Sequence, residues 1–243
     1  MVDLSGARAL LQQLQTSYDA GDLDKAKAAL DRLKVELLRL PGLPPQYSGP
    51  EGAVREQLLL GRQTQELSFL LSVSRGDEAG AARAWACLKP YYSDARRLLG
   101  SASAQEARIT SLRLLSLLLS RRGSDFCCEL EALPAEVAAS PAVAHTCELE
   151  AWLAEGSYNR VLAAATGGDP DPVRAALLRQ LLPTVRNQVA ACVAASCEAV
   201  TLSQLAALLR LDSEDQARRA ALERGWEVHG QGVRLARGGG AGG

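Results

Sequence analysis

A chain of 243 residues, 47% hydrophobic and 23% charged, can bury a core in one or two domains and falls outside the disordered class. A net charge of -1 with a pI near 6.2 lacks the basic excess of a nucleic-acid or anionic-membrane binder. Only 4% is aromatic, and leucine and alanine, both good helix formers, carry the apolar content.

The first segment places Leu4, Ala7, Leu11, Leu14 and Tyr18 at steps of 3, 4, 3 and 4, one stripe of an amphipathic helix. Gly21 can take a positive φ, and Asp22 can cap a second helix through its carboxylate. That helix carries Leu23, Ala26, Leu30, Leu33, Leu37 and Leu40 and stops at prolines 41, 44 and 45. Neither helix can hide its stripe alone. Stacking such hairpins predicts a solenoid, and a coiled coil fits two interrupted stripes less well.

Further helices are predicted over 51–73, 77–89, 103–121, 124–132 and 141–154. Arg75-Gly76-Asp77 makes a turn, Pro90 ends or kinks the fourth helix, and Gly123 and Pro134 stop the next two. The most apolar stretch, "ITSLRLLSLLLS" at 109–120, contains Arg113 and is too short to span a bilayer, so it reads as a buried helix. "LEAWLAEGSYNRV" at 149–161 reads as a helix-to-helix corner. Gly156 closes one helix, Ser157 accepts from the first free amides of the next, and Tyr158, beside Asn159, lays its ring into the gap. Trp152 lies on the apolar stripe before the corner. In "GGDPDP" at 167–172, Asp171 caps and Pro172 takes the first helical position. The following helix carries Val185, Val189 and Val193, with Pro183 marking a bend or a new start.

The last segment changes character. Thr201 caps a helix with Leu202, Leu205, Leu208 and Leu209 on one face, and Ser213 caps another that Gly225 ends. Trp226 alternates with Val228 and Val233 with Leu235 around Gly230 and Gly232, which predicts a hairpin. Helix, helix, hairpin is the order of a winged helix, and "RGGGAGG" reads as a flexible tail. The predicted fold is therefore mainly α: a right-handed solenoid of TPR- or HEAT-like helix pairs, capped by a C-terminal winged helix with a small β-hairpin.

Reactive chemistry is sparse. The six cysteines form no CxxC, which favours reduced, mostly buried thiols over a metal site, and no cofactor is expected. His145 sits in an alanine-rich helix and His229 in the hairpin turn, neither set beside a nucleophile. No G-x-x-x-x-G-K-S/T or G-x-G-x-x-G motif is present. In the helix of the winged-helix segment that would read nucleic acid, Arg218, Arg219 and Arg224 are balanced by Glu214, Asp215 and Glu223. The first residues show no basic region followed by an apolar run, which predicts no secretory signal.

Five stretches carry a resemblance, in the same order, over roughly residues 4 to 236. They are "LDRLKVELLRL" at 30–40, "CLKPYYSD" at 87–94, "LLSLLLSRRGSDFCCELEALP" at 114–134, the 149–161 corner and "ALERGWEV" at 221–228. Together they resemble the small PCI subunits of the 26S proteasome lid, a family whose architecture is shared with subunits of the COP9 signalosome and of translation initiation factor three. The resemblance implies N-terminal helical repeats over 1–74, a PCI domain over 77–236 (helical part 77–198, winged helix 199–236) and the Gly-rich tail over 237–243. It implies a non-enzymatic scaffold of ubiquitin-dependent degradation in the cytoplasm and nucleus. Its expected partners are other lid PCI subunits, with no small-molecule substrate, nucleic acid or membrane. The COP9 or initiation-factor equivalent is the alternative, and a winged-helix nucleic-acid binder a more distant one.

Neighbouring wings of such subunits align edge to edge, and a two-stranded wing leaves edge groups unpaired. Val233, Arg234 and Leu235, with Val228, are the expected edge. Trp226 is expected in the wing core, and Tyr91 and Tyr92 as packing residues. Three departures from the family stand out. Asn187 and Gln188 occupy usually acidic positions, Arg210 an apolar or aromatic one, and "GGGAGG" stands where the family runs on into a further helix.

Overall fold

The computed structural model describes residues 4–235, and the predicted glycine tail lies outside them. Among the described residues are thirteen helices and one three-stranded sheet. The chain divides into two units, Met1–Arg113 with Leu133–Val143, and Leu114–Ala132 with Ala144–Gly243.

In the first unit α1 (Ser5–Asp19) packs on α2 (Leu23–Leu37), and α3 (Glu51–Ser74) on α4 (Glu78–Tyr92). Both turns work as the sequence demands. Gly21 and Gly76 take positive φ, and Asp22 and Asp77 accept from the amides of Lys25 and Gly80. The stripes meet at Leu14, Leu30, Leu33 and Leu71, all at most 1% exposed. Each such side chain contributes about 1.5–3 kcal/mol by burial.

Pro90 does not end α4, which runs two residues past it to Tyr92. In the last turn proline costs one donor, that to the carbonyl of Ala86, an exposed residue water can serve. The two extra residues matter, because they are Tyr91 and Tyr92. Tyr91 is buried against α3 at Gly61, where an added Cβ would lie 2.5 Å from its hydroxyl and 3.0 Å from its ring. A Gly61→Ala variant should lose about 1–3 kcal/mol in urea unfolding. Gly52→Ala, in the same helix with nothing within 4 Å, should be neutral or stabilising.

Tyr92 carries a polar seam through this core. Its hydroxyl donates to Glu66 Oε1 at 3.0 Å, and its ring meets Trp85, which in turn meets Phe69. Burial raises the Glu66 carboxyl above the usual carboxylate range, against hydrogen bonds from Ser103 and Tyr92 and the charge of Arg62. Burial likewise pushes the Tyr92 phenol far above its ordinary value, with the Glu66 charge adding to it. Next come α5 (Arg96–Leu99), α6 (Glu106–Leu119), α7 (Gly123–Glu131) and α8 (Ala135–Ala138), of which α7 and the part of α6 from Leu114 onward belong to the second unit. Arg96 reaches Glu106 and Glu136, each at 2.7 Å, and so joins three separate stretches of the first unit.

The second unit contains α9 from Ala144 onward (Pro141–Ala154 in all), α10 (Tyr158–Thr166), α11 (Pro172–Ser196), β1 (Ala199–Thr201), α12 (Leu202–Leu209), α13 (Glu214–Glu223), β2 (Glu227–His229) and β3 (Gly232–Arg234). Pro183 neither restarts nor interrupts α11. The buried face, Leu178, Leu181, Val185 and Val189, continues across it, while Pro183 and Arg179, whose carbonyl loses its donor, lie on the exposed side. The cysteines also depart from expectation: all except Cys147, which is partly buried, are exposed. They fall on the outward faces of helices or at a helix end, a placement composition cannot reveal.

Candidate protein-interaction surface in the second unit

The sheet is built by three turn signals. Thr201 ends β1 and caps α12, its hydroxyl accepting from the Gln204 amide while the Gln204 side chain accepts from the Thr201 amide. Ser213 caps α13, and Gly225 at φ +71 turns the chain into β2. β2 and β3 form the predicted hairpin, but β1 adds to it, and the order is β1-β3-β2 with both pairings antiparallel. Val233 faces Val200 on one side and Val228 on the other.

This order corrects the expected edge. β3 is the central strand, so Val233 is fully buried and Leu235 is buried beyond it, its amide donating to the Glu198 carbonyl. Arg234 is exposed but its backbone lies between Ala199 and Glu227. Of the four residues, only Val228 lies on an outer strand. Half the amides and carbonyls of an outer strand point away from the sheet. On β2 these groups run beside two exposed side chains, Glu227 and His229, 3.6 Å apart. Trp226 is 6% exposed, with the Arg224 guanidinium 6.0 Å from its ring centre.

The corner at 156–159 is formed as spaced, with Gly156 at φ +74, but Ser157 caps α10 through its backbone only, and its hydroxyl makes no capping bond. Tyr158 is half-buried and Asn159 exposed. Tyr158 lines a shallow cavity of about 510 Å³ with Val189, Cys192 and Leu208. Trp152 is half-exposed, covered by the Arg160 guanidinium at 5.9 Å and met edge-on by His145 at 6.0 Å.

One positioning residue was missed. Arg186, on α11, donates to the carbonyls of Leu209 and Arg210 at 3.0 and 2.9 Å, closing the C-terminus of α12. Arg210 itself is left-handed, at φ 47 and ψ 59, a conformation that brings its carbonyl within reach. Asn187, uncharged where its relatives were expected to be acidic, accepts from Arg224. These bonds cross 23 to 37 residues, so no local pattern announces them.

Two of the three arginines that could have read nucleic acid are thus engaged within the unit, Arg224 here and Arg218 on the Gly230 carbonyl. Among the described residues no group of three His, Cys, Asp or Glu could hold a metal, and no helix is long and apolar enough to cross a membrane. What the surface offers is backbone: two short outer strands held by a small buried core.

The described residues are predominantly helical, with one three-stranded sheet whose outer strands are β1 and β2. Residues 104–238 match the model of the CSN8/PSMD8/EIF3K family, and the chain belongs to that family. It is 32% identical over 205 residues to the 26S proteasome non-ATPase regulatory subunit 8 homolog A of Arabidopsis thaliana, covering 84% of this chain and 76% of the relative. It is 25% identical to the 26S proteasome regulatory subunit RPN12 of Saccharomyces cerevisiae over 90% and 81% of the two chains. With its Schizosaccharomyces pombe counterpart the identity is 27%, over 90% and 77%.

Proposed function

We propose that this chain is a non-catalytic structural subunit of the lid of the 26S proteasome regulatory particle, acting in ubiquitin-dependent degradation through protein–protein contacts in the cytoplasm and nucleus. The relatives' names support the assembly, and their designation as regulatory, non-ATPase subunits supports a role without catalysis. On this reading the helix pairs are solenoid repeats, residues 77–236 are the PCI domain, and β1, α12, α13 and the hairpin are its winged helix. The partners are other lid PCI subunits.

The observation that carries the contact mode is the outer strand β2, with Val228 half-buried beneath it. A neighbour's strand added there gains backbone hydrogen bonds at little ordering cost, because β2 is already held by β3. The strand is only three residues long and flanked by charge, which blunts promiscuous pairing and leaves selection to the partner's side chains. Glu227 and His229 are exposed, so a Glu227→Lys/His229→Lys variant should fold normally. It should recover about tenfold less of the other regulatory-particle subunits in a pull-down, since lysines block edge pairing. Undiminished recovery rules out β2 as the contact.

A further inference from the structure

The first unit carries a groove that the proposed role does not use. It measures about 840 Å³ and is lined by α2, residues of the 38–46 loop, α3 and α4, over a floor that includes Leu30, Leu37 and Leu71. Two features distinguish it from ordinary surface. Its wall turns apolar side chains toward solvent: Val35 is 55% exposed and Leu38 87%. Leu38 is the most exposed large hydrophobic among the described residues, and Val35, three residues before it, makes it one of an adjacent exposed pair rather than a lone apolar side chain.

The charge of the groove is one-sided. Lys27, Lys34, Arg75 and Arg83 line it, against Asp77 as the only carboxylate. Asp77 is committed to the Gly80 amide, Lys27 to Asp31 at 3.1 Å and Arg75 to Asp24 at 2.7 Å. The side chains of Lys34 and Arg83 make no hydrogen bond or ion pair among the described residues. Lys34 is half-buried beside two further cations. Its burial, then the charge of Lys27, and more weakly that of Arg83, hold its ammonium below the ordinary lysine value, with the Asp31 carboxylate and Cys87 opposing them in part. A cation withdrawn from water among like charges is a place where an arriving anion recovers lost solvation and relieves repulsion.

We infer that this groove docks an acidic amphipathic helix of a partner protein, with the apolar stripe of that helix on Val35 and Leu38 and its carboxylates on Lys34 and Arg83. The charge complementarity selects an acidic occupant, and the adjoining apolar wall selects one that carries hydrophobic anchors as well as carboxylates. A bare anion leaves Val35 and Leu38 uncovered. A nucleic acid needs a longer row of cations and no apolar wall. The inference does not depend on lid membership, since every residue it uses lies in the first unit.

The test is fluorescence anisotropy with the full chain and a labelled designed helix bearing leucines at i, i+4 and i+7 and glutamates on the flanks. Saturable binding is expected, weaker by about tenfold or more for Lys34→Glu/Arg83→Glu and for Leu38→Ser. Leu38 is so exposed that its replacement leaves the fold intact, which matching circular dichroism melts will verify. A control helix with lysines for glutamates should not bind, and one with alanines for leucines should bind at least about tenfold more weakly. The inference is overturned by no saturable binding of the acidic helix, by equal binding of the lysine helix, or by full affinity in both variants. It is also overturned if vesicles containing phosphatidylserine bind the wild-type chain more tightly than the acidic helix does and lose that binding in the same variants.

Discussion

Replacing Trp226 with alanine destabilises the second unit by about 3–5 kcal/mol. The indole is 6% exposed and follows Gly225 immediately, and its amide donates to the Ala221 carbonyl, so it fixes the exit of α13 and the entry of β2 together. A sheet of three-residue strands has few other large side chains to hold it: Val233 at its centre and Leu235 beyond it are the others fully or nearly buried there. Truncation leaves a cavity that these short strands cannot collapse to fill. Urea unfolding followed by tryptophan-independent circular dichroism measures the loss, and Trp226→Phe should recover more than half of it, because most of the ring volume returns. A loss below about 1 kcal/mol in Trp226→Ala contradicts a core role for this residue.

An Arg96→Met variant is expected to lose about 2–3 kcal/mol, somewhat less than for a fully buried pair because the Arg96 side chain is a quarter exposed. The loss arises at Glu106, whose side chain is 5% exposed and which is left buried without the guanidinium 2.7 Å away. The second partner of Arg96, Glu136, has a side chain 73% exposed. Glu136→Ala should therefore cost less than about 1 kcal/mol, which separates a desolvated carboxylate from a surface ion pair. The double variant Arg96→Met/Glu106→Met should recover much of the single-variant loss, since it removes the stranded group. If the double variant is as unstable as the sum of the two singles, Arg96 acts by packing alone.

Where a local rule governs, the fold was legible in the sequence. The leucine stripes of α1 and α2, the Asp22, Thr201 and Ser213 caps and the hairpin around Gly230 and Gly232 each depend on residues within a few positions of one another. The misreadings have physical causes of a different range. Pro90 read as an end or a kink, and Pro183 as a bend or a new start, because proline removes a donor, yet neither ends its helix: in both cases the orphaned carbonyl is on an exposed residue and the buried face loses nothing. β1 was missed because Ala199, Val200 and Thr201 are too few to show alternation, and they become a strand only by pairing with β3 more than 30 residues later. That omission alone moved the expected edge to Val233, Arg234 and Leu235, when the free strands are β1 and β2. Arg186 carried no signal, because its acceptors are backbone carbonyls in another helix. The groove over α2 was hidden for a related reason: Leu38 lies off the α2 stripe, and the residues of α3 and α4 that line the groove with it come from more than 25 positions later.

The most direct measurement of lid membership is native co-fractionation. Extract from the source is resolved on a glycerol gradient, and this chain is followed by quantitative mass spectrometry alongside ATP-dependent peptidase activity. A structural subunit of the regulatory particle peaks with that activity, in constant ratio to the other regulatory-particle subunits. A chain found only in light fractions, or tracking COP9 signalosome or initiation factor three subunits instead, contradicts the assignment.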